Sequence, residues 1–278
     1  MRPKASQVPS ILLYMVPKLA AQITVVTIAK DNAEGLEQTL TSLLAQTASN
    51  WVSVIVVGAS RDDTLAVAFR FAKLDNRIIV KVQQDSGIYE AMNLGSQNIS
   101  TSHVWYMNAG DLFKSSDSLQ IGLLAAQKNR NIPLIVGHHE VQNSTKKFKS
   151  KSGDLHPFSF AFSRRGLCHQ AMIFNTGFLS LQGVYNQNFR YCADYDLVLR
   201  LVNNYGGVRI PDILCSIEPG GVSDTNLRKV HKEKHSIRKQ IFYRKYWISA
   251  YGRVWVALLF LKVGVRNRYI SLRGKIHE

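Results

Sequence analysis

ITVVTIAKDNAEGLEQTLTSLL, Ile23 to Leu44, sets the fold. Its first seven residues, Ile23 to Ala29, are a β-branched apolar run with no polar alternation, the pattern of a strand covered on both faces. A short polar turn follows, after which Leu36, Leu40, Leu43 and Leu44 recur at helical spacing. The same strand, turn and helix repeat downstream. WVSVIVVGAS (Trp51 to Ser60) reads as a strand, TLAVAFRFAKL as a helix and RIIVKV (Arg77 to Val82) as a third strand. GIYEAMNLGSQNI (Gly87 to Ile99) puts Ile88, Ala91, Met92 and Gly95 on one helical side, and HVWYMN (His103 to Asn108) closes the series as a strand.

Continuous apolar strands alternating with helices predict a parallel sheet flanked by helices, so residues 23–115 read as an α/β nucleotide-binding half. Residues 116–226 are less regular. IPLIVGHHEV (Ile132 to Val141), LCHQAMIF (Leu167 to Phe174) and VRIPDILCSI read as strands, and NSTKKFKSKSGD between the first two as a polar, basic loop. DYDLVLRLVNNYG (Asp194 to Gly206) is a helix ending at Gly206-Gly207.

In such sheets ligands bind beyond the carboxyl ends of the strands. WYMNAGD, Trp105 to Asp111, places a carboxylate there. Two phosphate devices are absent: no G-x-G-x-x-G follows the first strand and no G-x-x-x-x-G-K-[ST] occurs anywhere, which argues against hydride transfer and P-loop hydrolysis. Carboxylates at strand ends suit a hard divalent cation instead. Mg2+ and Mn2+ take oxygen ligands and draw most of them from phosphates and water, so one protein carboxylate suffices. Taken alone, Asn-Ala-Gly-Asp reads equally well as an ordinary turn.

ITVVTIAKDNAEGLEQTLTSLLAQT, DSGIYEAMNLG, YMNAGD, CHQAMIFN, ADYDL and GGVS, in this order, resemble the family 2 glycosyltransferases of GT-A fold, nearest to bacterial enzymes of colanic-acid-type exopolysaccharide assembly. The resemblance runs from about Ile23 to Asn226 and implies an α/β GT-A fold, a Rossmann-like mixed sheet flanked by helices. It implies an inverting hexosyltransferase that uses a UDP- or GDP-linked sugar. Its metal signature falls on Asn108 to Asp111, making Asp111 the ligand of Mg2+ or Mn2+ and placing Asn108 at the donor. Asp85 would lie near the base or ribose, and Asn93 near the phosphates or metal. Asp194 would be the general base, since a carboxylate within about 2.6–3.2 Å can take the proton of an acceptor alcohol. As an aspartate opening a helix, it has a purely structural reading too. Asp196 reads as structural. His169 and Gln170 would line the acceptor or phosphate region, and Gly220, Gly221 and Ser223 a loop over the donor.

One position departs from the pattern. The family usually carries Asp-Gly-x-Ser at the end of the second strand, where this chain has Val57-Gly58-Ala59-Ser60. A valine cannot accept a hydrogen bond from a nucleobase, which leaves Thr27, Lys30 or Asp31 to supply recognition, or a relative that binds without efficient turnover.

The formal charge of +16 is unevenly placed. Leu227 to Glu278 holds fourteen Lys/Arg against two Glu, a balance of +12, and leaves +4 for the rest. LRKVHKEKHSIRKQIFYRKYW interleaves cations with aromatics, and VWVALLFL is far shorter than the roughly 20 residues of a spanning helix. Residues 227–278 therefore read as a basic, amphipathic helical extension lying on an anionic membrane surface, where a lipid-linked or oligosaccharide acceptor would be met. Nucleic acid is the rival partner for such a tail and is not expected. The resulting location is cytoplasmic, peripheral on the inner face of a bacterial plasma membrane. Residues 1–22 are a separate segment whose apolar stretch, Ile11 to Val16, is too short for a signal peptide. The three cysteines, odd in number and far apart, indicate neither a disulfide framework nor a zinc site.

Overall fold

The computed structural model describes residues 21–84, 87–143, 146–150, 155–163, 168–218 and 226–246. Strand β1 (Ile23–Ala29) is buried along its whole length, as its unbroken apolar run requires. It pairs in parallel with β2 (Trp51–Val57) on one side and β4 (His103–Asn108) on the other, and β2 pairs in parallel with β3 (Ile78–Val82). Between these strands run α1 (Ala33–Leu44), α2 (Thr64–Leu74) and α3 (Ile88–Gly95). Helix α3 is shorter than the sequence pattern suggested; Ser96 caps it and the polar residues after it leave the helix.

Alternate strand residues enter two cores. Val26, Ile28, Val54, Val56, Val104 and Tyr106 face one, with Met92 of α3 among them. Ile23, Val25, Ile55, Val57, Trp105 and Met107 face the other, with Leu36, Leu40 and Leu43 of α1 and Phe71 of α2. Each large side chain buried this way stabilises by about 1.5–3 kcal/mol. Gly95 lets α3 lie close on β1, for a Cβ there would stand 2.3 Å from Val26 Cγ1.

Beyond β4 the sheet turns mixed. After the two-residue β5 (Leu112–Phe113) and α4 (Ser118–Lys128) come β6 (Leu134–Asn143), β7 (Lys146–Ser150) and α5 (Pro157–Phe162). A 3-10 turn at His169–Ala171, β8 (Met172–Asn175), α6 (Thr176–Gln182), α7 (Ala193–Tyr205), β9 (Val208–Ile217) and α8 (Leu227–Tyr246) complete the order. The strands lie β3-β2-β1-β4-β8-β6-β9-β5, with β7 on β6. Strand β8 runs antiparallel to both β4 and β6, while β6 and β9 are parallel. This is the mixed α/β sheet with flanking helices expected of a GT-A fold.

Two expectations need correction. The basic stretch after β6 is not all loop, because Lys146–Ser150 pairs antiparallel with His139–Asn143. LCHQAMIF is a strand only from Met172, with His169–Ala171 before it forming the 3-10 turn. The start of the basic extension is helical and packs on the body: Val230, Ile237 and Phe242 of α8 are buried in the core, and Phe242 stacks on Phe158 at 4.8 Å. Glu233 accepts the backbone N–H groups of Arg190 and Tyr191 at 3.0 and 2.8 Å, which fixes the entry to α7. The extension after residue 246 and the segment 1–20 lie outside the described residues, and none of the described helices is long and apolar enough to cross a membrane.

Candidate active site

Why β4 ends in Asn-Ala-Gly-Asp is answered by α1. Asn32 caps that helix by accepting Gly35 N–H at 3.0 Å and donates from Nδ2 to Ala109 O at 3.0 Å. Gly110 donates its N–H to Gly35 O and to Thr39 Oγ1, both at 3.0 Å. Its φ of +102° is the left-handed region that glycine enters without penalty. Asp111 N–H closes the turn on Asn108 O at 3.0 Å. The helix N-terminus thus clasps the turn and fixes the carboxylate at the sheet's crest.

Asp111 is 7% exposed, and its Oδ2 accepts Asn108 N–H at 3.2 Å. Burial pushes its carboxyl up to about 7; the Asn108 backbone bond and the side chains of Gln170 and Asn108 pull the other way, while the charge of Glu218 raises it further. Asn108 Oδ1 is buried with no hydrogen-bond partner. A desolvated carboxylate beside an unsatisfied amide oxygen is a set of hard oxygen donors short of positive charge, and it fits a divalent cation. Among the described residues no group of three or more His, Cys, Asp or Glu could hold a metal by itself, so further ligands would come from phosphate and water.

Gln170, expected in the acceptor or phosphate region, has its side chain acting on Asp111, and its backbone carbonyl accepts Trp105 Nε1–H at 2.7 Å. Its neighbour His169 turns the other way, Nε2 lying 2.5 Å from Tyr185 Oη. Burial holds this imidazole below its usual range, and the charge of Asp194 opposes that shift. The 3-10 turn thus carries one residue coupled to each carboxylate, Gln170 to Asp111 and His169 to Asp194.

Asp194 lies in the first turn of α7, where the helix dipole favours negative charge. Its Oδ1 accepts Tyr89 Oη–H at 2.9 Å. Asp196 is buried and paired with Arg200 Nε at 2.9 Å, and burial raises its carboxyl. Asn93, expected near the phosphates or metal, has both ends of its amide on Tyr185: Nδ2 donates to the carbonyl at 2.9 Å and Oδ1 accepts the N–H at 3.0 Å.

Thr27 is fully buried within β1, on the side packed by α1, so it cannot touch a donor from there. This corrects the expectation for that residue; a strand-tip position was needed, and Thr27 falls two residues short. Asp31 stands just past the tip, with φ +48°. Its Oδ1 accepts Arg61 N–H at 2.7 Å and its own N–H donates to Ser60 Oγ at 3.1 Å, which braces the first loop against the second. Val57 is fully buried at the end of β2, level with Ala29. Asp85, Gly220, Gly221 and Ser223 lie outside the described residues. Tyr89, Tyr185 and Glu218 were missed; only Glu218, at the end of a predicted strand, carried a signal that the strand-end rule could have used.

Residues 24–188, more than half of the chain, match Glycosyl transferase family 2. The chain belongs to that family. A PGL/p-HBAD biosynthesis glycosyltransferase of Mycobacterium bovis is 29% identical over 203 residues, 68% of this chain and 74% of that protein. An amylovoran biosynthesis glycosyltransferase of Erwinia amylovora is 26% identical over 207 residues, 69% of this chain and 73% of that protein. This family 2 chain is accordingly a transferase enzyme. In fold it is similar to Staphylococcus aureus TarS 1-349, solved with UDP-GlcNAc, with a TM-score of 0.61 at 13% identity over 78% of this chain and 66% of that one. It is also similar to the mannosyltransferase PcManGT of Pyrobaculum calidifontis, solved with GDP-Man and Mn2+, with a TM-score of 0.54 at 16% identity over 72% of this chain and 57% of that one. The chain thus spans less than two thirds of either solved relative's length.

Proposed function

We propose that this enzyme moves a sugar from a UDP- or GDP-linked donor to a lipid-linked or oligosaccharide acceptor, with inversion, in the assembly of cell-surface saccharides. The observation that carries the reading is the pair of carboxylates, Asp111 and Asp194, each coupled to a residue of one 3-10 turn, Gln170 and His169. Asp111 and Asn108 would hold Mg2+ or Mn2+, whose charge offsets that of the departing nucleoside diphosphate. Asp194 takes the acceptor's proton as the hydroxyl oxygen bonds to the anomeric carbon, and the single displacement inverts it. Asn93 and His169 act at one remove, fixing Tyr185 beside the base. Asp31 stands at the crest where a nucleobase would lie, and the absence of a carboxylate at Val57 leaves either UDP or GDP admissible. Support for the donor class comes from the solved relatives, which hold UDP-GlcNAc or GDP-Man with Mn2+. The acceptor class follows the relatives named for a mycobacterial PGL/p-HBAD product and for amylovoran.

The exposed side of α8, with Arg228, Lys232 and Lys239, would lie toward anionic headgroups, together with residues 247–278, at the cytoplasmic face of the membrane. The test is a panel of UDP- and GDP-sugars read by thermal shift with and without MnCl2. Stabilisation by one nucleotide class, dependent on manganese and lost in Asp111→Ala, supports the reading. Equal stabilisation of wild type and Asp111→Ala by every compound would refute it.

A further inference from the structure

We propose that Tyr89 positions the base, holding one oxygen of Asp194 so that the other is left for the acceptor hydroxyl. The inference rests on the reading of Asp194 given above. Tyr89 Oη donates to Asp194 Oδ1 at 2.9 Å, across 105 residues of sequence. Toward an ionised carboxylate a phenol can only donate, and such a charge-assisted bond is about twice as strong as a neutral one. The tyrosine itself is immobilised. It is buried, its ring stacks on Tyr185 with centroids 5.6 Å apart at 27°, and Tyr185 is fixed by His169 through its hydroxyl and by Asn93 through its backbone. Tyr89 and Asn93 are four residues apart on α3, so one face of that helix supplies both the donor to the carboxylate and the brace for the ring behind it.

The titratable groups that act on one another around Asp194 are Tyr89 of α3, Tyr185 of the loop before α7, His169 of the 3-10 turn and Cys192 at the start of α7. Burial makes both phenols and the thiol hold their protons and weakens the imidazole as a base, and His169 Nε2 is taken up by Tyr185 Oη, so Asp194 is the group left to take the acceptor's proton. In the step itself the acceptor oxygen bonds to the anomeric carbon. The bond from that carbon to the diphosphate oxygen breaks, and its electron pair leaves with the nucleoside diphosphate. The hydroxyl proton goes to Asp194 Oδ2, while Tyr89 keeps its own.

The test is a double-mutant cycle in the full chain, reading nucleoside diphosphate release from UDP-GlcNAc and from GDP-mannose with MnCl2. Tyr89→Phe keeps the stacked ring and removes only the hydroxyl. We expect kcat to fall about tenfold with KM unchanged, and no further loss when the same change is made in Asp194→Asn. An equal loss in both backgrounds, or none in either, would overturn the role. Full activity in Asp194→Asn alone would instead remove the base assignment. A readout independent of turnover is the tyrosine 13Cζ spectrum: the Tyr89 resonance should move in Asp194→Ala, and an unmoved resonance overturns the contact.

Discussion

Asp111 and Asp194 are both carboxylates at the ends of regular elements, yet their surroundings are opposite. Asp111 is nearly dry, receives one long backbone bond, is eased only partly by the side chains of Gln170 and Asn108, and has the like charge of Glu218 acting on it. Asp194 opens a helix and receives a phenolic hydroxyl. The first is an electrostatic debt that a bound cation would settle, and the second already has a hydrogen-bond donor and a helix N-terminus beside it. A metal ligand and a general base thus differ less in residue type than in what surrounds each before substrate arrives.

The sharpest way to break this contrast is to neutralise each group in turn. Asp111→Asn should lower the rate about a thousandfold, the upper range for removing one electrostatic contact to the leaving group. At a pH well above 7, where the raised carboxyl is ionised, it should also raise the thermal midpoint of the ligand-free protein by about 2–4 °C, since the variant buries an amide where the wild type buries a charge. Calorimetry without metal checks the second outcome, and an unchanged or lower midpoint would remove the view of Asp111 as unsatisfied. Asp194→Asn should lower the rate about a hundredfold and leave manganese-dependent stabilisation by UDP or GDP intact. If that stabilisation vanished too, the two carboxylates would not be doing separate jobs.

A smaller effect lies in the clasp beneath Asp111. Asn32→Ala removes the α1 cap and the bond to Ala109 O together. The expected loss is about 1 kcal/mol of stability. A larger proportional loss in manganese response than in Asp194→Asn would show that the clasp serves the crest and not the base.

What could be read from the chain follows the same division. The parallel half was legible because each of its strands is a continuous apolar run and each helix is separately patterned; β1 and β4 lie where their sequences indicated. Lys146–Ser150 gave no such signal, being mostly lysines paired at the sheet's margin. In α8 the inward Val230, Ile237 and Phe242 are thinly spread among cations, so packing against the body was masked by charge. Asp111 and Asp194 sat in short motifs with local meaning. The hydroxyl that serves Asp194 lies 105 residues away, and no spacing rule joins positions that meet only after the sheet has formed.

Glu218 offers the finest test of the contrast. It follows β9, is exposed, and its charge is the weakest influence acting on Asp111. An exposed carboxylate in high-dielectric surroundings exerts about 0–1 kcal/mol on a neighbour. Glu218→Gln should therefore weaken manganese binding only about two- to fivefold, while raising the ligand-free thermal midpoint by a degree or less. The paired signs matter more than either size, because both carboxylates would be repelling each other until a cation sits between their fields. A titration with MnCl2 and GDP, alongside calorimetry of the free protein, reads both. Should the midpoint fall while affinity stays constant, Glu218 would be a structural residue at the end of its strand, and Asp111 would face its cation without a second charge.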